Sequence, residues 1–111
     1  MLEKEIEKIL ITETKRLGGK AYKFVSPGNS GVPDRIVIFP GRPPIFVELK
    51  TDTGVLTPLQ TEQIKKLKKL GQAVEVVKGM DGLSTFFGRY GYAQVSIALE
   101  RKYGRVKQNG I

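Results

Sequence analysis

The chain has 111 residues and a mass of 12.3 kDa, the size of one domain. Its net charge of +8 at pH 7 favours a polyanion such as nucleic acid as the partner. The sequence has no His and no Cys, which excludes Ser-His and Cys-His nucleophiles, thiolate zinc sites and disulfide frameworks. Catalysis would therefore rest on carboxylates, Lys, Arg, Tyr or a metal ion held by oxygen atoms.

The N-terminal sequence MLEKEIEKIL carries charges that interrupt the apolar run of a signal peptide. The longest apolar stretches, 36–39 and 45–47, are far shorter than the roughly 20 residues of a membrane span. We therefore expect a cytoplasmic protein with no membrane role.

The predicted elements begin with a helix over residues 2–17 that Gly18 and Gly19 end. Its apolar residues share one side of the helix: Leu2, Ile6, Ile9, Leu10 and Leu17. A short strand over 21–25 follows, and then a loop of turn residues over 26–31.

Two strands are predicted next, over 34–39 and 45–50, joined as a hairpin by the proline-rich segment 40–44. Both strands carry apolar residues on both of their faces. This pattern predicts a sheet that is covered on both faces.

A second helix is predicted to begin at Thr57-Pro58, because Thr57 and Gln60 fit a capping box, and to end at Gly71. A strand over 73–77 completes a β-α-β crossover. The predicted fold is therefore α/β, in the order α-β-β-β-α-β. Beyond it, 84–87 could open a short helix, while 89–111 shows no clear period and is left unassigned.

Candidate catalytic residues lie on the hairpin. If Phe39 lies opposite Ile45, Asp34 faces Lys50, with Glu48 as the diagonal neighbour of Asp34 on the same face. Two carboxylates and a lysine suit phosphodiester hydrolysis with Mg²⁺ or Mn²⁺. Equally, Asp34 could cap a strand and the other two could form an ordinary exposed ion pair.

Several motifs in order resemble the VRR-NUC nuclease domain of the PD-(D/E)XK superfamily. They are Gly31-Val32-Pro33-Asp34-Arg35, Val47-Glu48-Leu49-Lys50, Gly54, Thr57-Pro58 and Gln60. The resemblance implies a restriction-endonuclease-like core with a mixed sheet flanked by helices. It also implies that Asp34, Glu48 and the Leu49 carbonyl bind the metal and that Lys50 is the catalytic lysine.

Small stand-alone members of this family resemble Holliday-junction resolvases that act as homodimers. The resemblance therefore implies a structure-selective DNA endonuclease, with a nuclease core over 1–80 and a basic C-terminal extension of the same domain over 81–111. We expect the extension to serve dimerisation or DNA contact. The alternatives are a non-catalytic nucleic-acid-binding protein that keeps the fold, and a nuclease that acts on ordinary duplex.

Two further residues are candidates for the site. The family pattern places the Gln60 amide there, although Gln60 also completes the capping box. It also carries a glutamate in the first helix, best matched by Glu3, with Glu7 as the fallback. Glutamates in a first turn can instead complement the helix macrodipole. Glu13 falls in the apolar arc of this helix and has no functional interpretation.

The expected DNA contacts are more dispersed: Ser26 and Asn29 in the loop before Asp34, Lys65 in the second helix, and Arg101 and Lys102 in the C-terminal segment. The loop also fits a plain connector, and the lysines of the second helix also fit a plain solvated face. Residues 89–111 hold five basic residues and one acid, which gives +4 of the +8. Tyr90, Tyr92 and Tyr103 lie among these charges and could stack on bases or cover a subunit interface.

Overall fold

A computed structural model describes residues 1–104 as a four-stranded sheet with four helices. The elements are α1 Glu3–Arg16, β1 Lys20–Lys23, β2 Arg35–Ile38, β3 Ile45–Lys50, α2 Pro58–Lys69, β4 Ala73–Lys78, α3 Gly79–Arg89 and α4 Ala93–Tyr103. Through β4 this is the predicted order, and the α/β fold is confirmed. Within these residues no helix is long and apolar enough to cross a membrane.

The sheet has the spatial order β1-β2-β3-β4. Strands β1, β2 and β3 are antiparallel neighbours, whereas β4 lies parallel to β3 and is reached through α2. One face, which we call the core face, packs against α1 and α3. Its buried side chains are Ala21, Val37, Ile45, Val47, Leu49 and Val77. Alternation along each strand sends the intervening residues to the opposite face, which we call the site face.

The site face is covered unevenly. Helix α2 packs against β4, where Ile64 and Val74 are buried. Over β1 and β2 the side chains are more open: Ile36 and Ile38 are half-buried and Tyr22 is 52 % exposed. The prediction of a sheet covered on both faces is therefore wrong for this half.

The hairpin register differs from the predicted one. Ile45 pairs with Val37 instead of Phe39, a displacement of two residues. Phe39 leaves the strand and enters the core, where it is 1 % exposed and its ring centroid lies 4.7 Å from that of Tyr92. Because the displacement is two residues, every side chain keeps its face. Continuing the register places Asp34 across from Glu48, so the prediction that it faces Lys50 is wrong.

The C-terminal helices extend beyond what the sequence predicts. Helix α3 is longer than the short 84–87 segment, and its Leu83, Phe86 and Phe87 are buried in the core. Helix α4 packs against α3 within the segment that had no predicted element. Arg105 and Lys107 lie outside the described residues.

The tyrosines after α3 belong in part to the same core. Tyr90 and Tyr92 both lie against Phe39. The Tyr90 hydroxyl donates a hydrogen bond to Glu75 at 2.8 Å, and burial together with this bond raises the pKa of Tyr90 to about 12. Packing within the chain therefore accounts for these two rings.

Candidate active site

Asp34 lies where the β2–β3 pairing stops. The last paired residues are Arg35 and Val47, so Leu49, two residues further along β3, has no β2 residue beside it. Instead, the Leu49 N–H donates to Asp34 Oδ2 at 2.8 Å. This hydrogen bond holds the Asp34 carboxylate at the end of β3.

Glu48 is the most buried acid of the site, at 2 % exposure. Its Oε2 accepts a hydrogen bond from Gln60 Nε2 at 3.0 Å, and Lys50 Nζ lies 3.7 Å from the same oxygen. The Lys50 side chain is itself only 13 % exposed. The structure therefore brings together four of the sequence-predicted residues, Asp34, Glu48, Lys50 and Gln60.

Electrostatics at Glu48 follow from this packing. Burial, followed by the negative charge of Asp34, raises the pKa of Glu48 from 4.5 to about 7. The charge of Glu3 and a hydrogen bond with Asp34 add to the increase, while Lys50 opposes it. Near pH 7 the Glu48 carboxyl is therefore about half protonated, and a positive charge that enters the site favours its ionised form.

The two glutamates of helix α1 proposed from the sequence, Glu3 and Glu7, have different surroundings. Glu3 is close enough for its charge to act on Glu48. Glu7 is instead an ion-pair partner, with its Oε2 at 2.8 Å from Arg35 Nε and 3.8 Å from Lys23 Nζ. Arg35 was not singled out by sequence reasoning, although it directly follows Asp34 in the quoted motif. Its contact with Glu7 fixes α1 against the strand that leads from the site.

Gln60 has two roles that the sequence left as alternatives. Its side-chain Oε1 accepts a hydrogen bond from the Thr57 backbone N–H at 2.9 Å. Its backbone N–H donates to Thr57 Oγ1 at 3.2 Å, which completes the capping box. The other end of the amide donates to Glu48. Both roles occur together, so the start of α2 is tied to the buried carboxylate.

The donor set suits a hard cation with few protein ligands. Across residues 1–104 no group of three or more acidic side chains is arranged to hold a metal. The site offers two carboxylates, and the Leu49 carbonyl points to the same side of β3 as the N–H that Asp34 accepts. Mg²⁺ usually keeps several waters and needs only one or two carboxylates. The residues present therefore fit this ion.

The loop before Asp34 is anchored by Gly31. Its φ is +89°, and a Cβ atom there would lie 2.6 Å from the backbone carbonyl of Leu59. Only glycine permits this approach between the loop and the first turn of α2. Within the loop, Asn29 Nδ2 donates to Ser26 Oγ at 2.9 Å, so these two candidate DNA contacts are partners of one another.

The remaining candidate contacts are exposed on two helices. Lys65 lies on α2, and Arg101 and Lys102 lie on α4. Lys102 lines a groove between α1 and α4 that also includes Glu13. Glu13 forms an ion pair with Arg16 at 3.1 Å, so this acid of the apolar arc has a partner on its own helix.

Comparison with known proteins identifies relatives of this arrangement. Residues 3–81 match the sequence profile of the VRR-NUC domain. The chain is 47 % identical over 79 residues to "Putative nuclease p44" of Acyrthosiphon pisum secondary endosymbiont phage 1, over 71 % of this chain and 85 % of that protein.

Solved structures show the same fold. One described as "VRR_NUC domain" has a TM-score of 0.64 and 27 % identity, and the match covers 91 % of this chain and 97 % of that one. Another, "VRR_NUC domain protein", has a TM-score of 0.66 and 22 % identity, with 82 % and 88 % covered. The second supports the fold alone.

Proposed function

The chain belongs to the VRR-NUC nuclease family, and on that premise we propose that it is an endonuclease that hydrolyses DNA phosphodiester bonds with Mg²⁺ or Mn²⁺. The observation that carries the proposal is the buried Glu48 carboxylate. It lies with Asp34, Lys50 and Gln60 at the end of β3, where its pKa is raised to about 7. The ionised form of Glu48 is costly to the folded protein, because it is buried near another negative charge, so stability alone does not explain a carboxylate at this position.

The metal ligands in this proposal are Asp34, Glu48 and the carbonyl oxygen of Leu49. A divalent cation held there would activate a water molecule and offset the negative charge of the phosphate. The Leu49 N–H keeps Asp34 in place at 2.8 Å. The Gln60 amide does the same for Glu48 at 3.0 Å, so neither carboxylate has to be ordered when substrate binds.

Lys50 is the proposed catalytic lysine. Its ammonium lies beside Glu48 on the same face of β3, and the side chain is largely buried. From there it donates hydrogen bonds to the attacking water or to a phosphoryl oxygen, where it stabilises charge that develops in the transition state. Glu3 completes the set as an acid at the start of α1 that acts on Glu48.

The proposed substrate is branched DNA, such as a four-way junction, cut by a homodimer in the cytoplasm. Support comes from the family resemblance and the net charge of +8. A chain with one catalytic set needs a second copy to cut two paired strands. Ser26, Asn29, Lys65, Arg101 and Lys102 are the proposed DNA contacts.

The test is a cleavage assay with labelled four-way junction, splayed-arm and linear duplex DNA, each in Mg²⁺, Mn²⁺ or EDTA. We expect metal-dependent cutting, with the branched substrates preferred. Glu48→Ala should abolish cutting and leave salt-sensitive binding intact, whereas Glu62→Ala removes an exposed glutamate of α2 and should leave cutting unchanged. Binding without metal-dependent cleavage would instead identify a non-catalytic DNA-binding protein, and preferred cutting of linear duplex would remove the branched substrate from the proposal.

A further inference from the structure

The open part of the site face combines aromatic, apolar and cationic groups. We call it the open half-face and define it by Lys20, Tyr22, Ile36, Ile38 and Phe46. Tyr22 is 52 % exposed, and Lys20 Nζ lies 5.4 Å from the centroid of its ring. The other three side chains are half-buried. An exposed aromatic ring beside a cation, on an apolar floor, suits a partner with flat rings and negative charge.

This surface is continuous with the proposed active site. Asp34 precedes β2, and Ile36 and Ile38 follow it at alternate positions, so all three lie on the same face. At the rise of a strand, Ile38 lies about 13 Å from Asp34, a distance that a few nucleotides span. Phe46 links the two regions, because it lies on β3 two residues before Glu48 and its ring is 5.5 Å from that of Phe24.

The far end of the open half-face is cationic. There, Lys20, Tyr22 and Ile38 line an open depression of about 630 Å³ together with the hairpin segment 39–43. Arg42 of that segment is exposed, with its guanidinium 6.0 Å from the centroid of Tyr90. The carboxylate site therefore connects, through aromatic and apolar side chains, to the positive charge of Lys20, whereas the Arg42 guanidinium lies toward Tyr90 on the core side.

We propose that the open half-face binds an unpaired nucleic-acid strand that continues from the scissile phosphate. Bases stack on Tyr22 and contact the apolar floor, and phosphates contact Lys20. The proposal rests on the proposed nuclease function and narrows its substrate to DNA with a single-stranded flank, since a stacking surface gains only from bases whose faces are free. A duplex offers phosphates and groove edges instead.

Charge argues against a second copy of the chain as the occupant. A two-fold interface sets a patch against the same patch of the partner. Both copies of Lys20 would then be enclosed in one interface of a protein that already carries +8. A polyanion neutralises these charges and gains affinity from release of its counterions.

The test is fluorescence anisotropy in EDTA, where cleavage is absent, with labelled oligothymidylate and a labelled hairpin duplex. Tyr22→Ala should weaken oligothymidylate binding about tenfold and Tyr22→Phe should retain it. Lys20→Ala should weaken binding and reduce its salt dependence, whereas Lys15→Ala, an equal charge change on the exposed side of α1, should not. Unchanged binding by Tyr22→Ala would overturn the proposal.

A second measurement needs no variant. An oligonucleotide that carries 5-iododeoxyuridine should cross-link to residues 20–24 of the wild-type protein, and cross-links confined to other segments would overturn the proposal. Sedimentation gives the remaining outcome: if Tyr22→Ala converts a dimer to a monomer, the open half-face is a subunit interface instead. Absence of metal-dependent cutting by the wild type would remove the nuclease function, while the anisotropy result would stand by itself.

Discussion

The two faces of the sheet are made by the same strands and differ in nearly every property. The core face presents aliphatic side chains that are almost wholly buried under α1 and α3. The site face presents Asp34, Glu48 and Lys50 at one end and the partly exposed Tyr22 along β1. Adjacent residues of β3 therefore have different roles. Val47 and Leu49 stabilise the fold, and Glu48 and Lys50 form part of the candidate site. Because this division follows from strand alternation, single substitutions can test each face separately.

The largest expected effect on stability comes from the core face. Ile45→Ala, at a side chain that is 2 % exposed, should lower the free energy of unfolding by about 2–5 kcal/mol. Glu48→Gln, three residues along the same strand, should abolish cleavage without lowering stability at neutral pH, because it removes a buried acid beside Asp34. Urea denaturation and the cleavage assay together measure the contrast. A large loss of stability in Glu48→Gln would contradict it.

The next largest effect is a dependence on pH that originates at the site face. The folded state raises the pKa of Glu48 from 4.5 to about 7, so it binds this proton more tightly than the unfolded chain does. Binding of this proton stabilises the folded state fully below the unfolded pKa of 4.5, and the stabilisation is lost as the pH rises through 7. The free energy of unfolding should fall by an amount on the order of 3 kcal/mol over this range.

This dependence can be measured by urea denaturation at about pH 5 and about pH 8 in EDTA. The wild type should be less stable at the higher pH. In Glu48→Gln the free energy of unfolding should differ much less between the two pH values. Added Mg²⁺ should restore stability to the wild type at the higher pH, since a cation bound only by the folded state stabilises it. An equal pH dependence in both proteins would assign the effect to other groups.

The smallest expected effect concerns the loop that leads to the site face. Gly31→Ala should destabilise the protein by about 1–3 kcal/mol and lower cleavage, because φ is +89° and the new Cβ would lie 2.6 Å from the Leu59 carbonyl. Gly28→Ala is the matched control, since its φ is +83° but nothing lies within 4 Å of a Cβ there. Thermal unfolding of the two variants separates backbone strain from the contact with α2. Equal losses would show that the contact does not matter.

The sequence predicted which side chains come together at the candidate site, but not the strand register that brings them together. The hairpin prediction assumed that Phe39 ends β2, but the ring of Phe39 packs with Phe86 and Tyr92 in the core. The partners that attract Phe39 lie more than forty residues away in the chain, so local pattern could not reveal them. Asp34, Glu48 and Lys50 still converge, because a displacement of two residues preserves the face of each side chain. A displacement of one would have separated Asp34 from Glu48.

The C-terminal helices were missed for a different physical reason. Helix α3 contains three glycines besides its apolar residues, which lowers its helix propensity. One of them, Gly82, lies so close to β4 that a Cβ would be 3.2 Å from the Val77 carbonyl carbon, which is a tertiary requirement. Helix α4 packs Val95, Leu99 and Tyr103 against the core at intervals of four residues, but only Leu99 is fully buried and the exposed Ile97 obscures the spacing. Packing against α3 gives this weak stripe a partner that the local sequence does not show.

The Gln60 side-chain amide has a role that helix propensity alone does not reveal. A capping box is completed equally well by glutamate or glutamine. Only glutamine has a donor at its far end, and in this chain that donor contacts Glu48. Glutamate at this position would leave the start of α2 intact and place another acid against an already crowded carboxylate. Selection for helix stability alone would therefore accept Gln60→Glu, although this change places another acid against Glu48. Design of this helix has to treat Gln60, the third residue of α2, as part of the candidate site.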